Sequence, residues 1–288
     1  MTTQTAQIID GKAIAARNRQ ELSDRVRALR ASGREVRLDA VLAAPAESGA
    51  TIYAQNQGRA CEALGIDYQL HTLAPDATFD DVAGRVLLLN EREDVTGIMV
   101  HMPLPDTIDP YQVQRLIRPE KDVEGVNPAN IGNVVYGRSS LVPCTALAVV
   151  TMIESTGIDL AGRRAVVVGA SNIVGKPVAV LLMRREATVI SCNIHTQRIE
   201  ELTREADVLI SAVGKPGLIT PGMVKPGACV VDVGTTRVEN PETGECRTVG
   251  DVDFEGVREV AGWLSPVPGG VGPVTVSMLM RNVVDAAQ

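Results

Sequence analysis

The sequence predicts an α/β fold with two successive regions, each built on a parallel sheet that is covered by helices. Short aliphatic runs alternate with segments of helical periodicity, which is typical of parallel sheets. The alternation starts again at Thr145, and a chain of 288 residues has room for a second region. Hydrophobic residues make up 45% of the chain and aromatic residues only 2%, so the core is aliphatic, as suits buried parallel strands.

In the first region the pattern predicts three strands and three helices in alternation. The strands are 38–43, 68–73 and 97–101, and the helices are 14–31, 51–64 and 79–90. Gly33 and Gly65 follow the first two helices, at positions where helices commonly end. The third strand leads directly into the turn Pro103-Leu104-Pro105. This order predicts an N-terminal α/β domain.

The second region repeats the alternation more regularly. The predicted strands are 163–169, 188–192, 208–212 and 229–233, and the predicted helices are 148–155, 174–185, 198–205 and a short one near 221–224. The polar segment 238–249 predicts an exposed hairpin or loop, and 274–287 predicts a terminal helix. Such a series indicates a doubly wound parallel sheet.

The composition narrows the class of function. A formal net charge of −7 argues against a nucleic-acid partner or an anionic membrane, because both require a basic face. No apolar run approaches the roughly 20 residues of a membrane span. The N-terminus, 1–7, is polar and lacks the apolar core of a signal peptide. We therefore expect a cytoplasmic protein.

Cysteine and histidine usage predicts neither a disulfide framework nor a metal site. The five cysteines are odd in number and form no CxxC pair. The three histidines are scattered along the chain, at His71, His101 and His195. No metal ion is therefore expected.

A glycine-rich turn after the strand 163–169 predicts a dinucleotide site. The segment Gly169-Ala-Ser-Asn-Ile-Val-Gly175 joins that strand to a helix, where a tight turn and a helix N-terminus can hold a pyrophosphate. Its spacing differs from GxGxxG, since Ser171 replaces the middle glycine and Gly175 comes one residue late. A purely structural turn is the alternative. The candidate cofactor residues here are Gly169, Ser171, Asn172, Ile173 and Gly175.

Two further turns place glycine at the carboxyl end of a strand, where doubly wound sheets bind ligands. They contain Val213 and Gly214 in one case and Thr235 in the other, and each alone could be a plain turn. The segment 266–275 is so rich in glycine and proline that neither a helix nor a central strand is expected there. It suits either a rigid ligand wall or an interdomain hinge.

These segments, in this order, resemble the methylenetetrahydrofolate dehydrogenase/cyclohydrolase family. The motifs that carry the resemblance are IIDGK at 8–12, RACEALGI at 59–66, PLP at 103–105, KDVEG at 121–125, VPCT at 142–145, SNIVGKP at 171–177, AVGKP at 212–216, GDVDF at 250–254 and PVPGGVGP at 266–273. They run almost end to end, which makes chance agreement very improbable.

The resemblance implies a domain division, a set of ligands and an assembly. The catalytic, folate-binding domain would be 1–145, completed by the terminal helix 273–288, and the Rossmann-like domain would be 146–272. NADP or NAD would bind the second domain, where His195 and Thr196 join the candidate cofactor residues. A tetrahydrofolate-type substrate would contact Tyr53, Glu124, Pro268, Gly269 and Gly270. The family also implies a homodimer.

Three of the four catalytic positions that the resemblance implies carry unusual residues. Tyr53 matches the family's tyrosine, but Gln57 stands where the family has lysine one helical turn later. His101 replaces the glutamine before the PLP turn, and Glu124 replaces the aspartate that holds the pterin. Gln57 cannot shuttle a proton, and Glu124 keeps a carboxylate but reaches one methylene further.

These substitutions affect the family's two activities differently. Hydride transfer depends on positioning, because the cofactor carries the chemistry. Water-driven opening of the methenyl ring needs proton transfers, which the family assigns to its lysine–tyrosine pair. We therefore expect dehydrogenase activity with the cyclohydrolase step lost. His101 is either a general base that titrates near neutral pH or a neutral hydrogen-bonding replacement.

The choice between NADP and NAD stays open. The family's usual partner, NADP, is held by residues after the second strand of the Rossmann-like domain. In this chain the family's His-Ser or His-Arg pair has become Asn193-Ile194, which leaves His195 and Arg198 as the nearby cations. No acidic residue is placed to select NAD, so we expect a weak preference.

Two other functions remain compatible with the sequence. The altered catalytic positions would suit a non-catalytic paralogue that binds folate or dinucleotide, although the intact cofactor turns favour an enzyme. A third hypothesis is a related enzyme that acts on a different one-carbon substrate with His101 as its base.

Overall fold

The computed structural model describes residues 5–138, 141–239 and 246–288. The chain forms two compact units. One, the three-stranded unit, consists of Arg17–Cys144 and Val276–Gln288. The other, the six-stranded unit, consists of Met1–Ala16 and Thr145–Thr275. Among the described residues no helix is both long and apolar enough to cross a membrane.

Helices and strands alternate over most of the described chain. The strands are β1 (Gln7–Ile8), β2 (Arg37–Ala43), β3 (Asp67–Leu73), β4 (Gly97–Val100), β5 (Arg164–Val168), β6 (Thr188–Cys192), β7 (Val208–Ser211), β8 (Cys229–Asp232), β9 (Thr236–Glu239), β10 (Cys246–Val249) and β11 (Trp263–Leu264). The helices are α1 (Gly11–Ala31), α2 (Gly49–Glu62), α3 (Phe79–Asn90), α4 (Pro110–Gln114), α5 (Pro128–Tyr136), α6 (Cys144–Glu154), α7 (Gly175–Met183), α8 (Ile199–Arg204), α9 (Phe254–Arg258) and α10 (Val271–Ala286), with a short 3₁₀ helix at Pro221–Met223.

The three-stranded unit is built on a parallel sheet in the order β3-β2-β4. Its central strand β2 is buried almost throughout, and α3 packs aliphatic residues against it. Local side chains fix where the helices begin. Ser48 accepts a hydrogen bond from the Thr51 amide at the start of α2, and Thr78 and Asp81 form a reciprocal capping box at the start of α3. The sheet and these caps fix the positions of α2 and of the end of β4.

The six-stranded unit is a parallel sheet in the order β1-β11-β8-β7-β5-β6. The strands β5, β7 and β8 are adjacent in it, so the turns that follow them meet at one edge. The order places β5 between the later strands β7 and β6, so the chain reverses direction across the sheet there, which confirms the doubly wound fold predicted from the sequence. The segment predicted as a hairpin or loop is a hairpin of β9 and β10, and its residues 240–245 lie outside the described part.

One expectation about the glycine- and proline-rich segment 266–275 is wrong. A helix was not expected there, yet α10 begins at Val271 and includes Pro273. Proline is tolerated in the first turn of a helix, where its missing amide has no partner to lose. The pattern also did not predict β1, β11, α4, α5 and α9.

Candidate active site

Three aromatic rings of the three-stranded unit meet beside the end of β4. His101 follows this strand and is 3% exposed, and its amide donates to the Val41 carbonyl at 2.8 Å. The Tyr53 ring, on α2, lies edge-on to the His101 ring with centroids 6.0 Å apart. The Tyr68 hydroxyl lies 3.5 Å from His101 Nε2. Tyr53 remains 49% exposed, so a ligand can reach its ring.

The imidazole of His101 is kept neutral by its surroundings. Burial lowers its pKa from 6.5 to about 4, because the charged ring would lose its water. At neutral pH His101 therefore offers one donor and one acceptor without a charge. This favours the neutral hydrogen-bonding role over the general base, which the sequence left open.

Gln57 follows Tyr53 by one turn of α2 and points to the same side of the helix. Its side chain is buried, with only 3% of the residue exposed. Both amide atoms, Nε2 and Oε1, lack a hydrogen-bond partner among the residues that the structure describes. A buried amide left unpaired costs free energy, about 1–3 kcal/mol. The position thus holds an unused donor and an unused acceptor, both buried, one helical turn from Tyr53.

Glu124 supplies the carboxylate of this cluster. Its Oε2 accepts a hydrogen bond from the Val100 amide at 3.4 Å. Burial, with the nearby charge of Asp122 as a smaller cause, raises its pKa from 4.5 to about 7. The pKa of Tyr53 is also raised, first by burial and then by the negative charge of Glu124, so the two side chains lie within electrostatic reach of each other. The carboxylate would be stabilised by any ligand that donates hydrogen bonds to it.

The residue two positions earlier, Asp122, was not singled out from the sequence. It is fully buried, and its Oδ2 accepts hydrogen bonds from the Asn127 amide at 2.7 Å and from Asn130 Nδ2 at 2.9 Å. The KDVEG motif contained it, but nothing in the pattern showed which of its two carboxylates turns inward. The structure assigns Asp122 to holding the turn and leaves Glu124 available.

The glycine-rich turn of the six-stranded unit depends on two close backbone approaches. Gly169 has a φ of +107°, and a Cβ there would overlap the Ala212 carbonyl. A Cβ on Gly175 would overlap the Gly169 carbonyl. The start of α7 is thereby drawn onto the end of β5, and Ser171 Oγ accepts from the amides of Val174 and Gly175 at 3.3 Å each. Asn172 and Ile173 are exposed at the tip of this turn.

Two buried carboxylates hold the neighbouring turns beside it. Asp251 accepts hydrogen bonds from Ser211 Oγ at 2.8 Å, from the Val213 amide at 2.8 Å and from the Lys215 amide at 2.7 Å. Asp232 accepts from the amides of Gly234, Asp251 and Val252. Burial is the first cause that raises the pKa of Asp232, to about 6. Neither aspartate was predicted, although the GDVDF motif contains Asp251.

The carboxylates leave the predicted cofactor residues on these turns open to solvent. Val213 is 46% exposed and Thr235 is exposed. Gly214 has a φ of +77°, and a Cβ there would meet nothing within 4 Å. The structure therefore brings these three residues to the sheet edge that also carries Gly169, with room for a ligand.

The turn after β6 is ordered by its own side chains. The Asn193 amide donates to Thr196 Oγ1 at 2.8 Å, and the His195 amide donates to Asn193 Oδ1 at 2.9 Å. Ile194 is 93% exposed. Arg198 is bound by Glu201, to which Nε donates at 2.7 Å. Both side chains of this pair are largely exposed, so the pair is weak and Arg198 stays available to a phosphate.

Pro268, Gly269 and Gly270 lie in the six-stranded unit, where they precede α10. A Cβ on Gly11 would overlap the Gly270 carbonyl, so the start of α1 packs tightly on this loop. Gly269 has a φ of +104°, which a side chain would strain. The structure thus shows a constrained loop, and its role in substrate binding stays a prediction.

The edge formed by β5, β6, β7 and β8 fits a nicotinamide dinucleotide. The glycines after β5 let a pyrophosphate approach the N-terminus of α7, and the open turns at Val213–Gly214 and at Thr235 leave room along the sheet edge. Among the described residues, no group of three or more His, Cys, Asp and Glu side chains could hold a metal ion.

The comparison with protein families covers most of the chain. Residues 9–124 match the tetrahydrofolate dehydrogenase/cyclohydrolase catalytic domain. Residues 143–288 match the NAD(P)-binding domain of the same family.

Individual relatives agree with the family match over nearly their whole length. The bifunctional protein FolD of Moorella thermoacetica is 46% identical over 98% of this chain and 99% of its own. The crystal structure of the bifunctional FolD enzyme of Campylobacter jejuni superposes with a TM-score of 0.93 at 39% identity, covering 98% of both chains. The FolD of Trypanosoma brucei, described as complexed with NADP cofactor and inhibitor, has a TM-score of 0.92 at 37% identity, over 98% of this chain and 97% of its own. The chain belongs to the tetrahydrofolate dehydrogenase/cyclohydrolase family.

Proposed function

We propose that this protein oxidises 5,10-methylenetetrahydrofolate to the methenyl form with NADP or NAD as hydride acceptor. The observation that carries the proposal is the cluster of Tyr53, His101 and Glu124 beside the unpartnered amide of Gln57. The proposed catalytic domain comprises 1–145 and 273–288, and the proposed dinucleotide domain comprises 146–272, although β1 and the start of α1 pack with the six-stranded unit. The family resemblance further supports a homodimer.

The residues of the cluster bind and orient the folate. The Glu124 carboxylate accepts hydrogen bonds from the amino edge of the pterin, and Tyr53 lines the reacting part of the pocket with its exposed ring. Gln57 offers a neutral donor and acceptor, and His101 is neutral as well. Loss of a hydride leaves positive charge on the folate. The charged group of the cluster is the Glu124 carboxylate, and its negative charge stabilises that positive charge.

The nicotinamide cofactor supplies the hydride-accepting chemistry when bound. Gly169 and Gly175 let its pyrophosphate approach the start of α7, while Ser171, Asn172 and Ile173 border that turn. Val213, Gly214 and Thr235 extend the site along the sheet edge, and His195 and Thr196 lie after β6. The FolD of Trypanosoma brucei is described with NADP, which favours NADP here too. Asn193 and Ile194 supply no charge to a phosphate, which supports only a modest preference over NAD.

We further propose that the cyclohydrolase step is weak or absent. Gln57 has no titratable group, and His101 is too weak a base at neutral pH to replace a lysine. The relatives are named bifunctional, which supports both activities in them and lends no support to a loss in this chain.

Two assays on the wild-type protein test both parts of the proposal. Methylenetetrahydrofolate with NADP, and separately with NAD, should give reduced cofactor in proportion to protein. No turnover with either cofactor would overturn the proposed dehydrogenase. Methenyltetrahydrofolate should decay with protein no faster than in buffer, and protein-dependent decay would contradict the loss of the cyclohydrolase. The variant Gln57→Lys, with Gln57→Met as the uncharged control, shows whether an ammonium alone restores hydrolysis.

The variant His101→Gln tests whether this histidine acts as a base. We expect kcat of the dehydrogenase to change by less than about threefold, because a group with a pKa of about 4 is already neutral in the working range. The profile of kcat between pH 6 and pH 8 should also keep its shape. A large loss of kcat, or the disappearance of a limb near the ordinary imidazole pKa of about 6.5, would favour a different substrate with His101 as base.

A further inference from the structure

The turn that carries Glu124 lies outside the helices and strands of the three-stranded unit. The amide of Ile98 donates to the Lys121 carbonyl at 2.7 Å, which attaches the beginning of the turn to β4. Gly125, at the end of the turn, has a φ of +68°, and a Cβ there would overlap the Val142 carbonyl carbon. The turn is therefore pressed against the chain at Val142, and its position depends on what holds these two segments together.

A side chain from the terminal helix α10 joins them. Asn282 is fully buried, and its Nδ2 donates to the Val123 carbonyl at 2.8 Å and to the Val142 carbonyl at 2.9 Å. The same nitrogen lies 3.5 Å from Cys144 Sγ, which in turn lies 3.3 Å from the Val123 carbonyl oxygen. One amide group thus uses both of its protons to connect two peptide bonds that are distant in the sequence.

The bond to Val123 bears directly on the site. The Val123 carbonyl belongs to the peptide bond that leads into Glu124, so fixing its plane limits the directions in which the Glu124 side chain can leave the backbone. At its other end the carboxylate has, among the described residues, a single 3.4 Å hydrogen bond from the Val100 amide. The orientation of the carboxylate therefore depends more on its backbone than on its own contacts.

We propose that Asn282 is a positioning residue, which aims the Glu124 carboxylate at the pterin by fixing the peptide bond before it. The inference rests on the proposed function, since it assumes that Glu124 binds folate. Asn282 acts at a distance from the substrate, through the Val123 and Val142 carbonyls. It belongs to the terminal segment of the chain, more than one hundred and fifty residues after the carboxylate it serves.

The variant Asn282→Ala removes both hydrogen bonds without adding charge. We expect KM for methylenetetrahydrofolate to rise about tenfold or more, while KM for NADP changes by less than about twofold, since the cofactor residues lie in the other unit. The dependence of KM for folate on pH should also shift, because the Glu124 carboxylate is no longer held in the same surroundings. The variant Asn282→Ser keeps one donor and should lie between wild type and Asn282→Ala.

The control is Asn18→Ala. Asn18 Nδ2 donates to Ser277 Oγ on the same helix α10 at 3.1 Å, and no hydrogen bond joins it to the turn among the described residues. It should lower the melting temperature without raising KM for folate. The inference would be overturned if KM for folate rose equally in Asn18→Ala, or if it stayed unchanged in an Asn282→Ala protein that melts cooperatively. Either result would leave the proposed function intact. Melting curves are recorded in the presence of NADP. The inference would also be overturned if KM for folate and KM for NADP rose equally in Asn282→Ala and in Asn282→Ser. An inactive wild-type protein would overturn the proposed function itself.

Discussion

The variant Gly175→Ala should lose dinucleotide binding and much of its stability. A Cβ at this position would overlap the Gly169 carbonyl, which is backbone and cannot rotate away as a side chain could. To make room, the start of α7 must move off the end of β5, and this removes the close approach that a pyrophosphate needs. We expect a loss of about 3 kcal/mol in the free energy of unfolding and at least about a hundredfold in NADP affinity.

Thermal melting and titration calorimetry with NADP measure these two effects. Gly222→Ala is a matched control in the same unit, because a Cβ there would meet nothing within 4 Å. The control should bind NADP like the wild-type protein and melt within a few degrees of it. Normal NADP affinity in Gly175→Ala would show that the glycine serves packing alone and that the cofactor binds elsewhere.

The variant Glu124→Gln should raise KM for folate and flatten its dependence on pH. The pKa of Glu124 is about 7, so the wild-type carboxylate accepts hydrogen bonds fully only above neutrality. Below that value KM should rise by about tenfold per pH unit, because each bound substrate must displace one proton. Glutamine keeps one acceptor but no charge, so KM at pH 8 should rise about ten- to a hundredfold and stay level on acidification.

The same variant should be more stable than the wild-type protein at pH 8. The pKa of Glu124 is raised on folding from 4.5 to about 7, so the unfolded state loses its proton first as the pH rises. The carboxylate therefore costs stability increasingly between pH 4.5 and pH 7 and fully above, whereas glutamine has no such cost. The melting temperature of Glu124→Gln should exceed that of the wild type at pH 8, and the difference should shrink toward pH 5.

Steady-state kinetics and melting curves between pH 5 and pH 8 test these expectations. Glu62→Gln, at an exposed position at the end of α2, is the control and should leave both KM and the pH dependence unchanged. A pH-dependent KM that persists in Glu124→Gln would assign the titration to another group.

The parts of the fold with long, regular patterns could be predicted from the sequence. Phe79–Asn90 and Thr188–Cys192 were predicted to the residue, because a capping threonine or an aliphatic run marks their ends. The strands β1 and β11 contain two residues each and exist only through pairing in the sheet, which local pattern does not encode. The helical start of α10 was missed since proline counted as a breaker, although a first turn accepts it.

The residues of the candidate site could be predicted where they lie in a motif of the family. Tyr53, Gln57, His101 and Glu124 could be named by resemblance, but their electrostatic states could not. The low pKa of His101 follows from burial after β4, and the unpaired amide of Gln57 follows from the packing of α2. Neither depends on neighbours in sequence. Asn282 had no sequence signal, because its partners come from two distant segments.

The hydrogen bonds between Asp232 and the chain at 251–252 bear on where the protein tolerates insertions. Asp232 accepts hydrogen bonds from the amides of Asp251 and Val252. The hairpin of β9 and β10 lies between these residues, so the bonds close its base. Asp251 in turn holds Val213 and Lys215, and Thr236 Oγ1 at the start of β9 donates to the Gly214 carbonyl at 3.1 Å. A tag or a foreign loop inserted beyond this base, farther along β9 and β10, should therefore leave the hydrogen bonds of the cofactor edge in place.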